Sequence, residues 1–213
     1  MNGLRVDVSI MFDCDGRHSS GAGLDAGQQK ATGGKVEEKA APAPGTPLRQ
    51  IVYLSIGSNV GDRMANLRGA LGDLTDKGQC IRRVSSFYST EPVGYLSQPW
   101  FLNIAVELET TLTPRALLEV CQAIEHARGR KRSFPGAPRI IDLDILLYGD
   151  LIVDKPELQI PHPRMAERRF VLAPLAEIAP EAVHPILKIS IQALLVSCPD
   201  QSSVIPCSTG GPS

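Results

Sequence analysis

The spacing of apolar positions changes period several times between Ile51 and Tyr148, and each change marks an element. Ile51-Val52-Tyr53-Leu54-Ser55-Ile56 is a short apolar run that stops at Gly57, as a buried strand does. Beyond Asp62, a good N-cap, Met64, Leu67, Leu71 and Leu74 recur at helical spacing until Lys77-Gly78 closes the run. Ile81 to Tyr88 reads as a second strand. Phe101 to Leu108 reads as a third, in which Leu102, Ile104, Val106 and Leu108 share one face while Phe101 and Asn103 take the other. Thr113-Pro114 supplies an N-cap with proline at the first helical position, and Leu117, Leu118, Cys121 and Ile124 form the stripe of a second helix ending near Gly129. Ile140 to Tyr148 predicts a fourth strand with Ile141, Leu143, Ile145 and Leu147 on one face, turned by Gly149-Asp150.

The order β-α-β-β-α-β predicts an α+β fold: a ferredoxin-like sandwich with an antiparallel sheet and both helices on one face. Leu151 to Leu195 is expected to extend this core as a C-terminal hairpin and helix. On either side the composition changes. Asp13 to about Arg49 is rich in Gly, Ala, Ser, Lys and Pro, and the tail after about Val196 is built similarly, so burial cannot offset the entropy of ordering them. The expected organisation is a disordered leader over residues 1–49, one domain over 50–196 and a fraying tail over 197–213.

Charge narrows the function: 22 Lys and Arg stand against 23 Asp and Glu, so no basic footprint for polynucleotide phosphates exists. Nucleic acid is therefore not an expected partner. The five cysteines are scattered, without a C-x-x-C pair, which suits a reducing cytosol. No apolar run approaches the ~18 residues of a membrane span, and no signal peptide is evident, so a soluble cytoplasmic monomer is expected, without a membrane partner.

If the aliphatic faces of strands three and four meet the helices, the opposite face carries Phe101, Asn103, Asp142 and Asp144 together. Asp142 and Asp144, at i and i+2, suit a hard cation that also takes substrate phosphate oxygens, although a solvated polar face has the same pattern. Arg128, Arg130, Lys131, Arg132 and Arg139 crowd the approach to strand four, where guanidinium forks could meet phosphates or simply face water. His162 lies near Arg164, Arg168, Arg169 and Phe170. Phe101 and Phe170 can stack on a flat heterocycle whose edge the Asn103 amide reads; taken one at a time, each ring reads more simply as core.

These blocks resemble the 6-hydroxymethyl-7,8-dihydropterin pyrophosphokinase family from Ile51 to about Leu195. Leu54-Ser55-Ile56-Gly57-Ser58-Asn59 with Gly61-Asp62 is similar to the family's opening strand and turn. Ser85 to Gly94, Gln98-Pro99-Trp100-Phe101-Leu102-Asn103 and Pro161-His162-Pro163-Arg164-Met165 match further blocks. The most specific is Ala137-Pro138-Arg139-Ile140-Ile141-Asp142-Leu143-Asp144-Ile145-Leu146.

The resemblance implies transfer of diphosphate from ATP to the pterin hydroxymethyl oxygen by attack at the β-phosphorus, with release of AMP, in folate biosynthesis. It implies two Mg2+ ions on Asp142 and Asp144, and Arg130, Arg139, His162 and Arg168 on the triphosphate, the first two as catalytic cations. Gln122, Glu125 and Arg132 fall at further nucleotide-side positions. Phe101 and Phe170 would sandwich the pterin, with Asn103 and the backbone of Thr90, Pro92 and Val93 reading its edge. Three departures stand out. The loop from Arg132 to Pro138 is one residue shorter than in some members and Gly136 or Ala137 replaces a tryptophan, so the lid over ATP is expected to pack differently; Pro163 stands where tyrosine can occur, so a phenol contact to the nucleotide is expected to be lost. No side chain is an evident general base. Two rival readings, an RNA-binding ferredoxin-like module and a non-catalytic pterin or nucleotide binder, are disfavoured by neutral charge and by the intact aspartate pair.

Overall fold

In the computed structural model, which describes residues 49–130 and 136–207, the alternation along the strands becomes a sheet with two unlike faces. β1 (Gln50–Ser58) lies centrally, antiparallel to β4 (Phe101–Thr110) on one side and to β5 (Asp142–Tyr148) on the other. β2 (Cys80–Val84) and β3 (Tyr88–Thr90) both pair with β4. The ferredoxin-like order follows, β5-β1-β4 and then β2 with β3.

On one face Val52, Leu54, Ile56, Leu102, Ile104 and Val106 are buried under α1 (Arg63–Asp76) and α2 (Pro114–Ala127). Each such side chain contributes ~1.5–3 kcal/mol by leaving water. Both helices start as their sequences demand: Asp62 accepts from the Ala65 N–H at 2.9 Å, and Thr113 accepts from the Ala116 N–H at 3.3 Å. Gly129, at φ 83, ends the second by adopting the left-handed conformation.

The expected extension is present. β6 (Val153–Lys155) and β7 (Leu158–Ile160) form a hairpin, followed by a 3-10 turn at Met165–Glu167, α3 (Arg169–Ile178) and α4 (Ile191–Val196). The last two helices do not sit with α1 and α2. They cover the second sheet face in part, against Tyr53, Ala105, Leu146 and Leu147.

Three expectations change. The second strand, read as Ile81 to Tyr88, is interrupted: the Ser85 hydroxyl accepts the Ala105 N–H (2.9 Å), and the Ser86 N–H turns to the Glu177 carboxylate. Leu147 leaves the face of Leu143 and Ile145, because the register shifts against Tyr53 and Leu54 and makes Leu146 an extra residue. The tail does not fray over 197–207, because β8 (Val204–Pro206) pairs with β3 and Cys198 is buried. The leader lies outside the described residues apart from Arg49, which is paired with Glu109 at 2.9 Å. Among the described residues no helix is long and apolar enough to cross a membrane.

Candidate active site

On the face away from α1 and α2, Asn103 of β4, Gly57 of β1 and Asp142 of β5 form one row across the sheet, and Ala105, Ser55 and Asp144 form the next. Tyr53, farther along β1, lies in the apolar cluster with α3 and α4, whereas at Ser55 and Gly57 the side chains shrink and the sheet becomes the floor of a cleft of ≈ 770 Å³. A Cβ at Gly57 would stand 2.3 Å from Asn103 Oδ1, so glycine is what lets the amide lie across the floor. The Asn103 Nδ2 donates to Thr90 Oγ1 at 2.6 Å, and both residues are buried.

Asp142 and Asp144 both line the cleft. Burial, followed by the negative charge of Asp142, pushes the Asp144 carboxyl from 3.8 up to about 7, with Arg168 opposing. Asp142 is tied by Arg130 Nη1 at 2.5 Å and by Arg139. No three His, Cys, Asp or Glu among the described residues could hold an ion alone. Two carboxylates on adjacent rows, one free of ion pairs among the described residues, nevertheless fit magnesium that takes its remaining ligands from phosphates and water.

The cations converge from three elements. Arg130 follows Gly129 at the end of α2 and also pairs with Glu125, which is buried and accepts the Leu143 N–H at 2.8 Å. Burial pushes the Glu125 carboxyl up, and the Leu143 N–H and Arg130 oppose the shift. Glu125 therefore stands behind Arg130 and β5, off the cleft surface. Arg139 lies over the Phe101 ring at 5.8 Å from its centroid and Arg168 over Phe170 at 5.5 Å. The His162 N–H is held by the Leu146 carbonyl at 2.9 Å, and its Nδ1 accepts the Arg164 N–H at 3.2 Å. That assignment leaves the ring proton on Nε2. Burial, then Arg168 and Arg164, lowers the His162 pKa from 6.5 to about 4, so the ring is neutral near pH 7.

Of the residues singled out from sequence, Thr90, Val93, Phe101, Asn103, Arg130, Arg139, Asp142, Asp144, His162, Arg168 and Phe170 line this one cleft. Phe101 and Phe170 are half-buried cleft walls rather than interior core. Gln122 is exposed on α2, and Pro92 is buried beside the cleft; neither lines it. Arg132 lies outside the described residues. Sequence reasoning missed Gln98 and Asn59. Gln98 accepts from Asn59 Nδ2 (2.9 Å) and donates to the carbonyls of Tyr95 and Gly136, while Asn59 Oδ1 accepts the Arg139 N–H at 2.7 Å. Their signal was present only as motif letters, since three loops meet there that are distant in sequence.

Residues 53–180, more than half of the chain, match the model of the family described as 7,8-dihydro-6-hydroxymethylpterin-pyrophosphokinase (HPPK). The chain belongs to the HPPK family. It is 49% identical over 132 residues to the 2-amino-4-hydroxy-6-hydroxymethyldihydropteridine pyrophosphokinase of Bacillus subtilis, covering 62% of this chain and 79% of that protein. The enzyme of that name from Methylorubrum extorquens is 48% identical over 132 residues, covering 62% and 84%. The folic acid synthesis protein fol1 of Schizosaccharomyces pombe is 42% identical over 153 residues, which are 71% of this chain and 21% of that much longer protein. A crystal structure of Plasmodium falciparum HPPK-DHPS superposes with a TM-score of 0.57 at 17% identity, over 72% of this chain and 46% of that one, which supports the fold. HPPK membership makes this chain a pyrophosphokinase of folate biosynthesis.

Proposed function

We propose that the cleft holds magnesium ATP at its Asp142 and Asp144 end and 6-hydroxymethyl-7,8-dihydropterin at its Phe101, Asn103 and Phe170 end. The supporting observation is the row Asn103-Gly57-Asp142. Two strand spacings, roughly 10 Å in all, separate the amide from the carboxylate, and the residue between them has no side chain. A flat ring read by Asn103 can thus extend its hydroxymethyl arm over Gly57 toward a triphosphate above the aspartates.

The chain's residues then act by position and charge. Arg130 and Arg139 leave Asp142 for the phosphates and neutralise charge developing on the transferred group. His162, neutral, offers its Nε2–H as a donor without adding charge, and Arg168 places a guanidinium on the same wall. Phe101 and Phe170 hold the ring, and Thr90 fixes the Asn103 amide by accepting one of its N–H groups. Two Mg2+ ions, bound with the nucleotide on Asp142 and Asp144, would supply stabilisation of the entering and leaving oxygens. The products are AMP and the pterin diphosphate. Incubation with ATP, magnesium and the reduced pterin, followed by nucleotide separation, tests this: pterin-dependent AMP supports it, and ADP in its place refutes it.

A monomer without nucleic-acid partners is proposed on the near-neutral charge, and sedimentation with and without RNA checks it. Cytoplasmic residence is proposed on the free thiols of Cys121, Cys198 and Cys207, with the disulfide-bonded Cys80 standing against it. Cell fractionation decides between them.

A further inference from the structure

The segment after Val196 touches both walls of the pterin end of the cleft. One wall is β3, whose Thr90 fixes the Asn103 amide; the other is the start of α3, whose second residue is Phe170. α3 lacks a side-chain cap of its own, because Arg168 at the cap position makes no such hydrogen bond. The Arg169 N–H donates instead to Asp200 Oδ2 at 2.9 Å, a carboxylate 31 positions downstream that also meets the positive end of the helix. The other oxygen, Asp200 Oδ1, accepts the Ser202 N–H at 2.9 Å and turns the chain toward β3.

There the segment clamps the second wall. β8 pairs Val204 with Thr90, Ile205 with Ser89 and Pro206 with Tyr88. Glu91 closes a reciprocal pair with Ser203, its N–H donating to the Ser203 carbonyl at 3.0 Å and its carboxylate accepting the Ser203 N–H at 3.2 Å. The Cys207 N–H ends the ladder on the Phe87 carbonyl at 2.7 Å. Without this partner β3 would be a three-residue edge strand preceded by the interruption at Ser85 and Ser86. The family match ends at residue 180, so the segment that makes these contacts, Asp200 to Cys207, lies outside the matched region although its partners on β3 and α3 lie within it.

We infer that Asp200 and the β8 segment are positioning elements for pterin binding: one short stretch sets Phe170 and Thr90 at their working separation, and acts on substrate affinity through them. This rests on the assignment of Phe101, Asn103 and Phe170 to the pterin. Three variants of the full chain, Asp200→Ala, Asp200→Asn and a deletion of residues 203–213, are compared with Phe170→Ala. Calorimetry with the reduced pterin and, separately, with a non-hydrolysable ATP analogue plus magnesium is combined with thermal melting.

The expected result is pterin binding weakened roughly fivefold in Asp200→Ala, the size of a lost N-cap interaction, and more in the deletion, with nucleotide affinity unchanged. Asp200→Asn, which keeps an acceptor oxygen, should recover most of the loss. If Phe170→Ala weakens pterin binding while Asp200→Ala leaves it within twofold, the positioning role is overturned and the pocket assignment stands. Equal losses for pterin and nucleotide, following the melting temperature, overturn it in favour of a merely stabilising tail. If Phe170→Ala leaves pterin binding unaltered, the pocket assignment fails and this inference fails with it. Should the deletion not fold, the two Asp200 variants decide.

Discussion

Arg130 Nη1 lies 2.5 Å from Asp142 Oδ1, so a guanidinium assigned to the triphosphate rests on a carboxylate assigned to magnesium. Arg139 grips the same carboxylate. Cation and anion of the site thus satisfy each other, and on the proposed assignment magnesium ATP would bind by exchange: metal for arginine on Asp142, phosphate for carboxylate on the arginines. Asp142→Asn removes one side of that exchange. Metal-free ATP should bind this variant roughly fivefold tighter or more, because the released arginines no longer face a competing charge. Magnesium ATP should bind less tightly. Titration calorimetry with chelator and with excess magnesium reads both signs, and weaker binding in both conditions would contradict the exchange.

The pterin end is addressed from its floor. Gly57→Ala brings a Cβ to within 2.3 Å of Asn103 Oδ1, so the amide must rotate away from its place over the sheet. The expected outcome is a pterin KM raised at least about tenfold with the ATP KM unchanged, since a buried amide that recognises substrate is sensitive to displacement. Phe101→Ala should show the same selectivity through lost stacking, worth ~1–3 kcal/mol per stacked heterocycle. Steady-state kinetics with each substrate varied in turn checks both. An effect confined to ATP would place the ring elsewhere.

Protonation of the aspartate pair predicts a pH signature in the ligand-free protein. Asp144 has its carboxyl pushed from 3.8 to about 7, so the folded state holds this proton more tightly than the unfolded chain. Its contribution is present below about pH 4 and is lost as pH rises through about 7. His162, lowered from 6.5 to about 4, acts oppositely: its contribution is present above about 6.5 and is lost as pH falls through about 4. Asp144→Asn isolates the first contribution. Its melting temperature should gain on the parent's steadily as pH rises from about 4 to about 7, as differential scanning calorimetry can follow. Parallel curves would show that Asp144 is not perturbed.

Much of this was legible because a sheet covered fully on one face leaves a strict period of two. Leu102, Ile104 and Val106 announced the helix side of β4, and so placed Phe101 and Asn103 on the cleft side. The same logic failed at Leu147. Leu146 and Leu147 are both apolar, so alternation cannot reveal which of them is the inserted residue, and the shift becomes visible only through pairing with Tyr53 and Leu54. The resemblance implies a nucleotide-side place for Glu125, but a matching position does not reveal what stands between a side chain and the ligand, here Arg130 and the Leu143 N–H. Val204-Ile205-Pro206 is too short to signal a strand. Its order comes from β3, more than a hundred positions earlier, and from Asp200 on α3. Asn59 and Gln98 stood in the matching blocks without a legible role for the same reason, since their meaning lies in loops that meet in space.

The central claim, that Asp142 and Asp144 form the metal pair of the transfer, is tested most directly by the single-turnover rate of Asp144→Ala, taken with magnesium dependence and melting on the same samples. The account predicts a rate lowered ~10²–10³-fold or more, through loss of preorganised charge stabilisation. It also predicts a ligand-free protein at least as stable as the parent near pH 7, because the removed carboxylate was buried beside another anion. A near-normal rate, or unfolding in place of selective inactivation, would show that the pair is structural and that the site has been assigned to the wrong chemistry.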